Sequence, residues 1–238
     1  MTGGTMSVGG DRVELRLLDG FACSIAGTEV ALAEYPAELV IQVFLGGGRA
    51  SRRSLQQRMW PDVTAENSAK RLRQLLWRVG TATGGRLLEA GAMTVTLAEG
   101  VTVDVGEAEA LARSLSRISP AGLPDGWEVL SRPLLPGWDS DEVTGARERW
   151  DQLRLLALQD LAAGLLRAGD VAAAIEIASR AQAIDALSEG SHRVLAAAHL
   201  ARADRPRAER AYRAYARLLH TELGVPPSQE FQRLLDPA

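Results

Sequence analysis

Between Asn67 and Arg78 the chain reads NSAKRLRQLLWR, with its polar residues at helical spacing. Asn67, Lys70, Gln74 and Trp77 recur every three or four positions, so a helix places them on one face. Arg71 and Arg78 flank one edge of that face and Arg73 the other. Asn and Gln pair bidentately with adenine edges, Arg does so with guanine, and Lys and Arg neutralise phosphates. The opposite side, Ala65, Ala69, Leu72, Leu75, Leu76 and Val79, is apolar and must face a core. Any surface helix is polar outside, so the pattern alone leaves both accounts standing. Trp77 tilts it towards a partner, either DNA or another domain, because an outward Trp usually has one.

Charge distribution supports the same segment. The net charge is −3, but residues 49–86 hold nine basic side chains against Asp62 and Glu66. That block carries a surplus of seven positive charges, so the remainder carries about ten negative ones. Arg52 and Arg53 open the preceding helix, where they suit phosphate or a polymerase-facing surface; two solvated arginines fit equally well. Arg86 and Thr94 complete the candidate DNA-contacting set, beside and within a hairpin that follows.

The elements that must position this face follow from local pattern. VELRLLDGFACSIAGTEVAL, residues 13–32, alternates apolar and polar, with turns at Asp19-Gly20 and Ala26-Gly27, and predicts three short antiparallel strands. Cys23, the one cysteine, reads as a small core residue. A helix is expected from Pro36, ended by Gly46–Gly48, and a second from an Ser51 cap to about Trp60. Thr64 can cap the third helix, which Gly80, Gly84 and Gly85 end. RLLEA and MTVTLA then form a hairpin, and Val101–Val105 offers a further strand. Strands, three helices and a hairpin are the order of a winged helix, whose third helix protrudes into the major groove while the wing meets minor groove or backbone.

The character changes after residue 104. A helix is expected over Glu107–Ile118, then a proline-rich loop with Trp127 and Trp138, then long helices. Gly169-Asp170 with Ala174 and Ala178 is matched 34 residues on by Ala203-Asp204 with Ala208 and Tyr212. That period, with small residues at packing positions, is tetratricopeptide-like, although Ala186 stands where Pro often closes the second helix. The expected fold class is an α+β winged-helix domain followed by an all-α tetratricopeptide-like repeat domain. The expected divisions are a disordered arm over 1–11, the winged helix over 12–104 and the helical domain over 105–238.

LLDGFACSIAGTEVAL, SRRSLQQRMWP, NSAKRLRQLLWRVG and the Val103-Asp104 exit resemble the winged helix of the Streptomyces antibiotic regulatory protein (SARP) family, which is similar to the OmpR-type output domain. LLPGWDSDEVTGARERWDQLRLLALQDLAAGLLRAGD and LLHTELGVPPSQEFQRL resemble the bacterial transcriptional activator domain (BTAD) that follows it. The resemblance implies a cytoplasmic, nucleoid-associated activator of biosynthetic gene clusters, commonly for antibiotics in actinomycetes. It implies binding to double-stranded DNA at promoter direct repeats, as paired protomers (a homodimer), and contact with RNA polymerase and its sigma factor. Two departures stand out. Gly80-Thr81-Ala82-Thr83 replaces the Arg- and Leu-rich end of the third helix, and Ala92-Met93-Thr94-Val95 replaces a Gly-Tyr-Arg-Leu wing. Both remove phosphate contacts.

No constellation for catalysis stands out. Gly46–Gly48 lacks the Lys and Ser/Thr of a phosphate loop, and His192, His199 and His220 have no companions that complete a metal site. No apolar run approaches a membrane span. The expectation is therefore no enzyme, no cofactor, no metal and no membrane. The alternative to a DNA-binding activator is a protein-interaction adaptor whose diverged winged helix binds DNA weakly or not at all.

Overall fold

Strict alternation makes Val13–Arg16 (β1) and Ala22–Ile25 (β2) half-buried strands: Val13, Leu15, Cys23 and Ile25 point inward, Glu14 and Arg16 outward. They pair antiparallel with Leu15 opposite Cys23. Thr28–Glu29 (β3) follows through Ala26-Gly27, both at positive φ, as a two-residue hairpin turn requires. The fold is that of a computed structural model describing residues 12–115 and 122–236; the expected arm over 1–11 lies outside them. The chain divides into two compact units. The first runs to Gly106 and includes Pro133–Arg147; the second comprises Glu107–Arg132 and the chain from Glu148 onward. The sequence boundary at 104/105 did not anticipate that the segment 133–147 belongs with the first unit.

In the first unit α1 spans Glu34–Leu45, starting two residues ahead of the expected Pro36, and buries Leu39, Val40, Ile41 and Val43. The glycine turn after it is tight. A Cβ on Gly46 would lie 2.6 Å from the Arg49 carbonyl oxygen, so no side chain fits there. That turn delivers Arg49–Ser51 (β4), a strand absent from the sequence reading. Helix α2 covers Arg52–Met59, with Ser51 Oγ accepting from Ser54 N–H at 3.0 Å. Helix α3 covers Ala65–Thr83. It continues a turn past Gly80 and stops at Gly84, which sits at φ 59°. Thr64 holds the N-cap position but makes no side-chain capping bond.

Leu88–Ala90 (β5) and Thr94–Leu97 (β6) form the expected hairpin, and β4 pairs with β6 to give a three-stranded sheet in the order β4-β6-β5. Val101–Val103 (β7) instead runs parallel to β1, completing a sheet in the order β3-β2-β1-β7. Helix α4 begins directly at Asp104 and is described to Leu115; the expected end at Ile118 lies outside the described residues. The Asp104 carboxylate accepts from Leu17 N–H at 2.9 Å and Leu18 N–H at 3.1 Å. On the other side of this segment, Leu135 N–H donates to Leu17 oxygen and Asp19 N–H to Pro133 oxygen, both at 2.9 Å. The LLPGWD stretch is itself folded around Arg147, whose guanidinium donates to the carbonyls of Leu134, Leu135 and Trp138 at 2.7–3.1 Å.

Helices dominate the second unit: after a 3-10 turn at Trp127–Ser131 come α5 (Asp141–Arg167), whose first residues belong to the first unit, α6 (Val171–Ile184), α7 (Glu189–Ala201), α8 (Arg205–Leu223) and α9 (Gln229–Leu235). Trp150 is buried and its Nε1–H donates to the Arg132 carbonyl at 2.9 Å. The 34-residue period is visible in detail. Asp170 caps α6 through Ala173 N–H and Asp204 caps α8 through Arg207 N–H, both at 3.1 Å. Gly169 and Ala203 precede them at φ 88° and 57°, and Ala174, Ala178 and Ala208 are buried. Where Ala186 replaces a closing Pro, Asp185 ends α6 by accepting from Leu187 N–H at 2.8 Å. Helices α7, α8 and α9 share a core of Ala196, Ala208, Tyr215, Leu219, Phe231 and Leu235.

Asp104→Ala leaves two backbone N–H groups without their acceptor in a half-buried setting. Chemical denaturation is expected to show a loss of about 2–6 kcal/mol, from roughly 1–3 kcal/mol for each of the two orphaned groups. Asp170→Ala is expected to cost about 1 kcal/mol through its cap alone. Equal losses would contradict the central place given to Asp104.

Candidate nucleic-acid interface

Helix α3 is amphipathic in the sense its sequence dictates. Leu72, Leu75 and Val79 are buried, with Ser68 and Thr83 extending the same seam. Three of the expected core positions differ: Ala65 is exposed, and Ala69 and Leu76 are only half-buried. Ser68 takes the inward place because α2 crosses there. Its Oγ donates to Ala65 oxygen at 3.1 Å and lies 3.5 Å from Gln56 Oε1. The seam packs against α1, α2 and β5.

The outward side gathers most of the predicted contact residues. Asn67, Lys70, Arg71, Arg73, Gln74, Trp77 and Arg78 are all exposed, and Trp77 is 68% exposed, far above what a packed Trp shows. Arg53, at the start of α2, is exposed too. Among the described residues, no carboxylate lies within ion-pair distance of Arg53, Lys70, Arg71, Arg73 or Arg78. In the second unit, by contrast, Arg154, Arg180, Arg193, Arg205, Arg207 and Arg213 each meet an Asp or Glu. An unneutralised row of cations on one helix face is the electrostatic requirement for a polyanion.

Three predicted residues are placed differently. Arg52 is half-buried and tied to the hairpin: its Nε–H donates to Gly91 oxygen and its backbone N–H to Met93 oxygen, both at 2.9 Å. It holds the wing against α2. Thr94 is half-buried in β6, opposite Ser51. Arg86 is exposed in the turn between α3 and β5, away from the helix face. Sequence reasoning put Met93 in the wing without counting it among the contact residues; it stands 78% exposed at the hairpin turn and gives the wing an uncharged, apolar tip. Its neighbours Gly91 and Ala92 were the signal, since a two-strand pattern interrupted there leaves Met93 in the turn.

Comparison with known proteins bears on these two units. Residues 127–236 match the bacterial transcriptional activator domain. The chain is similar to EmbR from Mycobacterium tuberculosis, solved in complex with a low-affinity phosphopeptide. The two share 19% identity with a TM-score of 0.75, over 95% of this chain and 64% of that one. The chain thus spans just under two thirds of that protein's length. No curated protein matched the sequence. Fold and matched domain together give an α+β unit of winged-helix form ahead of a helical region that matches the bacterial transcriptional activator domain. Among the described residues no helix is long and apolar enough to cross a membrane, and no group of three or more His, Cys, Asp or Glu is arranged to hold a metal.

The two faces of α3 make opposite demands. Leu75→Ala should destabilise the first unit by about 2–5 kcal/mol through the cavity it leaves. Trp77→Ala should change stability by no more than about 0.5 kcal/mol, as for other exposed positions. Thermal denaturation of both variants checks this, and a large loss from Trp77→Ala would show that face to be packed.

Proposed function

We propose that the chain is a sequence-specific DNA-binding transcription activator, with α3 as the helix that enters the major groove. The observation that carries this is the exposed row Asn67, Lys70, Arg71, Arg73, Gln74, Trp77 and Arg78, whose cations have no carboxylate partners among the described residues. Gln74 and Asn67 offer bidentate amide contacts to base edges, while Arg53, Lys70, Arg71, Arg73 and Arg78 serve phosphate or guanine. Arg52 acts indirectly by holding the hairpin turn against α2. The family resemblance supports the finer reading: paired protomers on promoter direct repeats, recruitment of RNA polymerase and its sigma factor, a biosynthetic gene cluster as target, and a cytoplasmic location at the nucleoid.

A second reading has one observation in its favour. The wing tip Gly91–Met93 carries no charge, and Met93 and Trp77 together expose apolar surface, which suits a protein partner. The same experiment separates the two.

Fluorescence anisotropy with DNA from upstream of the protein's own gene, repeated across salt concentrations, is the test. Each phosphate contact removed should flatten the slope of log K against log salt by about 0.9. Arg53→Gln, Lys70→Gln and Arg73→Gln combined should therefore flatten it by up to about 2.7. Gln74→Ala should leave the slope unchanged while reducing discrimination by about 1–3 kcal/mol at one base pair. No binding at low salt, together with a stable protein complex, would favour the adaptor.

A further inference from the structure

Helix α8 carries a second basic face. Its buried residues Ala208, Tyr215 and Leu219 turn one side to the core shared with α7 and α9. At about 100° per residue, Arg210, Arg213 and Arg217 fall on the opposite side, and Arg207 lies at its edge. All four are exposed. Between Pro206 and Thr221 the helix has one carboxylate, Glu209, which is half-buried and turned aside to Arg205 and Arg213. Residues 205–221 therefore hold five arginines against one glutamate, a surplus of four, within the part of the chain that is acidic as a whole.

The ion pairs on this helix are those of a solvated surface. Arg207 meets Asp204 at 3.3 Å and Arg213 meets Glu209 at 3.1 Å, with each arginine more than half exposed. Such pairs contribute little and do not hold a guanidinium back from a stronger anion. Arg210 and Arg217 have no carboxylate within ion-pair distance among the described residues. Any surface helix is polar outside, but an ordinary one intersperses both signs. This face repeats one sign over about three turns.

The remaining side chains say what kind of anion fits. Pro206, Ala214 and Thr221 are small, and no large apolar side chain is exposed between them: Tyr212 and Leu218 are half-buried, Tyr215 and Leu219 buried. Protein interfaces are anchored by aromatic and aliphatic groups at their centre, and this face offers none. A phosphate backbone needs no such anchor; it takes guanidinium forks.

We propose that the outward face of α8 is a second contact surface for duplex DNA, with Arg210, Arg213 and Arg217 bonding phosphate oxygens. The three are separated by about 4.5 and 6 Å along the helix axis, so each can take its own phosphate. No Asn or Gln stands on the face to read a base, so it adds affinity without selecting sequence. The choice of duplex DNA as the polyanion rests on the DNA-binding reading of α3, but the residues are different ones in the other unit.

Anisotropy of the full chain is measured across salt concentrations on two labelled duplexes of equal length, one from upstream of the protein's own gene and one of shuffled sequence. Arg210→Gln with Arg217→Gln should flatten the slope of log K against log salt by about 1.8 on both duplexes, and leave the ratio of the two affinities and the Tm unchanged. Arg149→Gln with Arg233→Gln removes the same charge from exposed positions off this face and should change the slope by less than half as much. An unchanged slope in the α8 variant, as for a face that serves an acidic protein, would overturn the proposal. So would an equal change in the control, or a change with single-stranded DNA but not with duplex. The α3 reading fails separately, if Arg53→Gln, Lys70→Gln and Arg73→Gln combined leave the slope as it was while the α8 variant flattens it. Binding to neither duplex at low salt would overturn both.

Discussion

The backbone of Leu17 and Leu18 is held from two directions. Their N–H groups meet the Asp104 carboxylate, while the Leu17 carbonyl and the Asp19 N–H meet the chain at 133–135. Because Asp104 is the first residue of α4 and directly follows β7, its two bonds fix β7 beside β1. Because 133–135 leads into the loop wrapped on Arg147, the opposite bonds fix that loop. Burial raises the Asp104 pKa and its backbone donors lower it only in part, so the carboxylate does this work at a net electrostatic cost.

The α3 face depends on a different constraint, the burial of Leu72, Leu75 and Val79. Once that seam is fixed, the 3.6-residue period leaves no choice about where Asn67, Lys70, Gln74 and Trp77 point. What the fold adds is that, among the described residues, no carboxylate comes within ion-pair distance of its cations. The acidic surplus of the chain is used elsewhere, much of it in ion pairs along α6 to α9 such as Arg180–Glu176 and Arg213–Glu209. The wing is held at its base by Arg52 and ends in Met93, so it differs from a phosphate-gripping wing both in chemistry and in how it is secured.

The two stretches that most strongly suggested a family prove to be structural devices. LLPGWD is the loop whose carbonyls Arg147 collects, with Leu135 in a left-handed conformation that those bonds stabilise. In ELGVPPSQE, Gly224 at φ 70° ends α8, and Ser228 caps α9 while both its N–H and its hydroxyl bond Glu189. That places Phe231 edge-on to Tyr212 at 5.0 Å, closing the core of the last three helices. Sequence specificity here reflects geometry that few residues satisfy.

Sequence alone determined the features that rest on neighbours a few residues apart. The outward face of α3, the Ser51 cap, the Ala26-Gly27 hairpin and the paired Asp170 and Asp204 caps follow from period, φ preference and short-range hydrogen bonding. Even there the boundaries slipped: Gly80 did not end α3, because Thr83, buried on the seam, and the Gly84 terminator extended it by a turn. Tertiary structure decided everything that needs a partner distant along the chain. The pairing of β4 with β6 and of β7 with β1, the anchoring of Arg52 to Gly91 and the inward place of Ser68 are of this kind. Local pattern fixes which way a side chain faces on its own element; only packing fixes what it then meets, because that depends on which other surfaces bury best against it.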